Sequence, residues 1–270
     1  MSPSADSTMI AFDRLGSGEP LLLLHGTGLD RRVWEPVLDG LSQHHELLSV
    51  DLPGHGQSPN APSQVPATPL GYARLLAEWL DGLGIDAPHV AGNSVGGWTA
   101  LELAKLGRAR SVTALGPAGL WARHDPLSAK AKLWLNHQLS RRLPVLVPAV
   151  LGRDLGRKMF LAGVVGDPSR VPADAAIHMA RSTADAPDFS RHLRETTRSR
   201  FSDGRWITVP VTIAWGEKER LVPAHARRRN QLPPTTRWLQ LQGCGHIPFW
   251  DAPELIVSTI LETTSRSSTT

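Results

Sequence analysis

Short apolar runs alternating with helical repeats predict an α/β protein: a mostly parallel, doubly wound sheet interrupted once by a helical cap insertion. Three observations carry that expectation. Wholly apolar segments such as Leu21 to Leu24 stop at glycine-bearing turns, as strands buried on both faces do. Stretches with apolar residues three and four apart follow most of them. From about Gly119 to Trp206 the alternation disappears, and it then resumes. At 270 residues the chain has room for one large domain or two smaller ones, at about 150 residues per domain.

The first strand, Leu21 to Leu24, ends at His25-Gly26. Trp34, Val37, Leu38 and Leu41 then recur at helical spacing, and Glu46 to Val50 reads as the next strand, closing at Asp51-Leu52-Pro53-Gly54. Thr68 before Pro69 starts a helix whose apolar face is Leu75, Leu76, Trp79, Leu80 and Leu83, and Gly84 ends it. His89-Val90-Ala91 is a short strand that runs into Gly92-Asn93-Ser94-Val95-Gly96-Gly97, and Trp98, Leu101, Leu103 and Leu106 mark the helix behind that turn. Ser111 to Leu115 is a further strand. The middle segment carries helical patterns around Leu133, Trp134, Leu135 and Leu139, a proline-punctuated run from Leu143 to Val150, and no convincing strand. Val211 to Trp215, a helix near Ala224 to Gln231, a strand from Arg237 to Leu241 and a helix from Pro253, with Asp251 as its candidate cap, complete the order. The layout expected is a core of residues 1–118 and 207–264, a helical cap over 119–206, and a frayed tail over 265–270.

Composition excludes several function classes. With 41% hydrophobic and 20% charged residues, the chain can bury a sizeable core, which argues against disorder. The net charge of +4 is small for the length, and the arginine clusters at 31–32, 141–142 and 227–229 lack the interleaved aromatic residues of a nucleic-acid groove. The single cysteine, Cys244, forms no internal disulfide and no thiolate metal cage. The first residues lack a basic start followed by an apolar run, and no stretch reaches the roughly 18 apolar residues of a membrane span. A cytoplasmic protein with a small-molecule partner, and neither nucleic acid nor membrane, is expected.

Chemistry concentrates in the loops after predicted strands. Gly92-Asn93-Ser94-Val95-Gly96 fits G-x-S-x-G between a strand and a helix, the setting in which a strained turn lifts a serine hydroxyl out of the sheet. The competing reading is a glycine-rich strand-to-helix turn with an incidental serine or an anion site. A serine needs a base, and His246 follows the last predicted strand in Gly243-Cys244-Gly245-His246, at the same sheet edge as Ser94. His25 and His55 are weaker candidates. The orienting acid must precede His246, and the loop Trp215-Gly216-Glu217-Lys218-Glu219 offers two carboxylates, although Arg220 or Lys218 could equally hold Glu219 in an exposed ion pair.

HGTG at His25 to Gly28, DLPGHGQS at Asp51 to Ser58, GNSVGG at Gly92 to Gly97, WGEKERLVP at Trp215 to Pro223 and GCGHIPFWDAPE at Gly243 to Glu254 together resemble the α/β-hydrolase family over almost the whole core. The resemblance implies a triad of Ser94, His246 and an acid. The family's W-G-x-x-D-x-x-V-P loop has aspartate where this chain has Glu219, so Glu219 takes the role, with Glu217 as the local alternative. Some relatives place the acid after the preceding core strand, but Gly116-Pro117-Ala118-Gly119 contains no carboxylate. The oxyanion donors implied are the backbone N–H groups of Val95 and Thr27, with Gly26 as the alternative. The Asp51 to Gly56 loop reads as scaffold, Cys244 as a small residue packed behind the histidine loop, and the tryptophans Trp98, Trp121, Trp134 and Trp250 as core before pocket.

The function implied is a cofactor-independent serine hydrolase working through an acyl-enzyme on small to medium apolar carboxylic esters. A serine elbow sets the chain apart from the dehalogenases and epoxide hydrolases of this fold, whose nucleophile is aspartate. Carbon-carbon bond hydrolases of ring-cleavage diketones are the alternative, although they commonly carry tryptophan where this chain has Ile247. A ligand receptor without turnover is the alternative of another class.

Overall fold

Four consecutive leucines, Leu21 to Leu24, need apolar cover on both sides of a strand, and all four are fully buried. The computed structural model, which describes residues 10–121, 127–187, 189–222, 224 and 227–269, supplies that cover with helices on each face of one sheet. In chain order the elements begin with β1 (Phe12–Leu15), β2 (Pro20–Leu24), α1 (Glu35–Ser42), β3 (Glu46–Val50), α2 (Pro69–Gly82), β4 (His89–Asn93), α3 (Val95–Lys105) and β5 (Ser111–Leu115). Five helices follow: α4 (Leu127–Arg142), α5 (Leu146–Leu151), α6 (Asp154–Leu161), α7 (Ala173–Asp185) and α8 (Phe189–Arg198). Then come β6 (Val211–Gly216), β7 (Arg237–Leu241) and α9 (Pro253–Ser265).

The seven strands lie in the order β1-β3-β2-β4-β5-β6-β7, parallel except for β1, which runs antiparallel to β3. Strand period two decides which residues meet which helix. Leu22, Leu24, Val90 and Val112 pack with α2 and α3 residues such as Leu76 and Leu101, while Leu21, Leu23, Ala91 and Leu115 pack with α1 and α9 through Leu41 and Ile260. Thr68 caps α2 by accepting from the Gly71 amide at 3.2 Å, which explains the sharp start before Pro69.

Four local expectations change. β1 is an additional edge strand; three of its four residues are exposed, so it carries no alternation to read. The helix expected at 224–231 is replaced, over 227–231, by a bridge and a turn, its remainder falling partly outside the described residues: Arg227 bridges to Trp121, and the Arg228 amide donates to the Leu120 carbonyl at 2.6 Å. Asp251 does not cap α9, whose cap position is Ala252. Its carboxylate is instead engaged by the amides of Gly166, Asp167 and Gly245, each at 2.8 Å. The tail continues as helix to Ser265 and a 3-10 turn over Arg266–Thr269. No described helix is long and apolar enough to cross a membrane.

Candidate active site

In a parallel sheet every strand points its carboxyl end at the same edge, so the loops after β2, β4, β6 and β7 meet there. β2 lies between β3 and β4, which places the turn after β4 against the His25 to Gly28 loop. A Cβ on Gly26 would sit only 3.2 Å from that of Ser94.

Ser94 has φ 56° and ψ −115°, a positive φ that among the described non-glycine residues only Asp203 shares. Such a conformation is strained for an L-residue and persists only where packing enforces it. Packing does so here because the flanking glycines allow strand and helix to touch. A Cβ on Gly92 would lie 2.3 Å from the Gly96 carbonyl, and one on Gly96 would lie 2.2 Å from the Leu24 carbonyl. The Ser94 amide donates to Leu115 at 2.9 Å, and Val95 opens α3, where the first N–H groups have no acceptor within the helix.

His246 Nδ1 lies 2.6 Å from Glu219 Oε2, with the imidazole side chain 6% exposed and the carboxylate side chain fully enclosed. The other carboxylate oxygen accepts from the amides of Leu221 at 2.7 Å and Val222 at 3.2 Å. Burial alone would raise the Glu219 pKa. The charge and hydrogen bond of His246, joined by the two amides, outweigh that and hold the carboxyl below its usual range. With Nδ1 donating to the carboxylate, a neutral ring carries its lone pair on Nε2. Glu217, the other sequence candidate, accepts instead from the Gly243 amide at 2.9 Å and shapes the turn before the histidine. The room for the longer glutamate comes from Gly116, where a Cβ would stand 3.2 Å from both Glu219 Oε2 and His246 Nδ1.

The two weaker histidines are engaged elsewhere. His25 Nε2 accepts the Leu52 amide at 2.9 Å while Nδ1 meets the Gly26 carbonyl at 2.8 Å, so a neutral ring has no lone pair left for proton transfer. Burial lowers its pKa and pushes that of His55 well down. Both belong to the scaffold of the 51–56 loop, where Asp51 binds the guanidinium of Arg31 and accepts from the amides of Arg31 and Gln57. Cys244 is enclosed behind the histidine loop, its thiol raised by burial to about 11.

A cavity of about 620 Å³, its open mouth included, is lined by Ser94, His246 and Thr27 from the sheet edge and by Leu133, Phe160 and Met179 from the helices between β5 and β6. Ser94, Thr27 and His246 also line a second, smaller chamber that opens to solvent, which Val95 and Trp121 border. The structure therefore brings together Ser94, His246, Glu219, Thr27 and Val95. Of the four tryptophans, Trp98 and Trp121 are buried edge to face at 5.8 Å, and Trp134 is half exposed.

Three residues at the site escape sequence reasoning. Asn93 Nδ2 donates to the carbonyls of Leu115 at 3.0 Å and His246 at 2.9 Å, tying the elbow to the histidine loop. His192, on α8, lies 2.9 Å from Thr27 Oγ1 through Nε2 and 2.9 Å from the Tyr72 hydroxyl through Nδ1. Burial, aided by repulsion from His25, pushes its pKa down to about 3. The signal for Asn93 was its place beside the nucleophile. None pointed to Tyr72 and His192, which are 120 residues apart in the chain.

Residues 21–259 match the profile of the alpha/beta hydrolase family. The epoxide hydrolase EphH of Mycobacterium tuberculosis is 31% identical over 193 residues, covering 68% of this chain and 90% of that one. Among solved structures, an esterase from Exiguobacterium antarcticum superposes with a TM-score of 0.76 at 19% identity, over 97% of each chain. A meta-cleavage product hydrolase from Pseudomonas fluorescens gives 0.69 at 18% identity, over 94% of each.

Proposed function

The chain belongs to the alpha/beta hydrolase family, and from that premise we propose that it is a cofactor-independent serine hydrolase of small to medium apolar carboxylic esters. The observation that carries the reading is the enclosed 2.6 Å contact between His246 and Glu219, beside a serine held at positive φ in the same cavity. Ser94 Oγ attacks the acyl carbonyl while His246 Nε2 takes its proton. The tetrahedral oxyanion is met by the amides of Val95 and Thr27, each such donor lowering the barrier by about 3 kcal/mol. His246 returns the proton to the leaving alcohol, the acyl group stays on Ser94, and a water activated by the same imidazole releases the acid. Glu219 orients the ring and stabilises the imidazolium. The helices of residues 119–206 act as the cap. Two mainly apolar chambers meeting at Ser94 suit the acyl and alcohol arms of one ester.

Similarity to an epoxide hydrolase does not transfer that activity, because the elbow residue here is a serine. A fluorophosphonate probe is expected to label the protein and to leave Ser94→Ala unlabelled. A panel of p-nitrophenyl esters of graded chain length, with one ring-cleavage diketone, then assigns the substrate class. Absence of labelling in the intact chain would refute the serine mechanism, and turnover of the diketone in preference to every ester would refute the ester reading.

A further inference from the structure

Fourteen large hydrophobic side chains are exposed among the described residues, and nine of them fall between Trp134 and Met159. Val145 is 85% exposed, Met159 72% and Leu155 70%. Scattered surface leucines need no explanation, but a concentration on adjoining helices does. α5 and α6 pack on each other and, together with α4, on α7, so these side chains belong to one layer. Two of the same helices turn Leu133 and Phe160 inward to the Ser94 cavity. The layer thus has an inner side that lines the site and an apolar outer side.

Charge tells what covers the outer side. Residues 131–161 hold six lysines and arginines against one acid, formally +5, whereas the whole chain carries +4, so the remaining residues sum to −1. Arg141, Arg142, Arg153 and Lys158 are exposed among the apolar residues, and the one acid, Asp154, is bound by Lys158 at 2.6 Å. A second copy of the chain would bring two such basic faces together across a symmetric contact. An anionic bilayer instead accepts apolar side chains below its headgroups and basic ones at them.

We propose that the outer face of α4–α6 docks on an anionic lipid surface. The contact presents the roof of the Ser94 cavity to the bilayer, so that amphiphilic esters held in the lipid reach the serine. This delivery role rests on the serine hydrolase reading; the docking itself does not.

The test is co-sedimentation of the full chain with phosphatidylcholine vesicles, with and without phosphatidylglycerol. Binding to the anionic vesicles is expected to exceed binding to the neutral ones by about tenfold or more. It should weaken as salt rises from about 0.1 M to about 1 M, where the screening length shrinks to about 3 Å. The triple variant Val145→Asp, Leu155→Asp, Met159→Asp should lose binding while still taking fluorophosphonate label, since these exposed positions lie outside the cavity. Arg141→Gln with Arg142→Gln should lose the preference for anionic lipid and keep the fold by circular dichroism. Failure to sediment with anionic vesicles, or equal binding by the triple variant, would overturn the proposal. So would a dimer at equilibrium sedimentation that the triple variant dissolves, since a second copy would then cover the face. Vesicle binding retained in a chain that takes no fluorophosphonate label would leave the docking surface standing and remove the catalytic reading alone.

Discussion

Glu219 and His246, on loops at strand ends, are almost wholly enclosed, whereas across the same cavity Leu133 and Phe160 sit on helices whose outer sides leave Trp134 50% and Met159 72% exposed. The floor is held by backbone hydrogen bonds and side-chain tethers. Leu221 and Val222 amides fix Glu219, Asn93 fixes the histidine loop, and Asp251 gathers three amides behind it. The roof is held by the inner faces of its helices. Tethers along the rim join the two, among them His192 to Thr27, His178 to Asp30 at 2.6 Å, the Ala67 amide to Glu195 at 2.7 Å, and the Ile247 amide to the Val164 carbonyl at 2.9 Å. Rigid placement suits proton transfer, which tolerates little displacement, while a less enclosed roof is free to set what enters.

The sharpest way to break this division is at the floor. Ser94→Ala is expected to lower ester turnover by about 10⁴-fold or more while leaving the thermal midpoint within about 2 °C, because it removes one exposed-side oxygen and also relaxes nothing in the core. A comparable loss from any roof substitution would erase the distinction. Glu219→Gln should lower turnover by about 10²- to 10⁴-fold, with Glu219→Asp retaining more, since the amide cannot hold the ring and stabilise imidazolium as a carboxylate does. Equal rates in all three would take Glu219 out of the mechanism.

Acid tests the contact between floor and roof. His192 is held neutral in the fold with a pKa of about 3, below its usual value near 6.5, so the unfolded chain binds more protons between those two pH values. Its contribution is fully present above about pH 6.5 and is lost as pH falls toward 3, at roughly 1.4 kcal/mol per pH unit. His25 and His55, also lowered by burial, act in the same direction. Urea unfolding between about pH 4 and pH 7 should show the slope, and His192→Phe should make it shallower. An unchanged slope would mean that His192 takes up no proton on unfolding. The smallest effect is expected at the roof itself: Phe160→Ala should shift preference toward longer acyl chains by about tenfold in kcat/KM, with the rate of fluorophosphonate labelling changed much less. Parallel changes in both measurements would show that the roof also positions the chemistry.

Leu21 to Leu24, the Thr68-Pro69 start and the 92–97 turn were legible because period, capping chemistry and steric demand act within a few residues. β1 was not, since an exposed edge strand has no buried face to impose a pattern. The arginine run at 227–229 reads locally as helix, yet its backbone is taken by Leu120 and Trp121, more than 100 residues earlier in the chain. Glu217 and Glu219 are two residues apart and of one type, so side-chain chemistry does not distinguish them and only the likeness of the loop pointed to Glu219; the turn between β6 and β7 sends one to Gly243 and the other to His246.

By itself the sequence determined the sheet, the elbow and the residue types able to move a proton, because each depends on short-range sterics or on side-chain chemistry. Only the tertiary structure decided that Glu217 turns to the Gly243 amide, that His192 and Tyr72 stand behind Thr27, and that the roof turns an apolar, basic face outward. Those are relations between segments far apart in the chain, and they exist only once burial has selected one packing among the many that local preference allows.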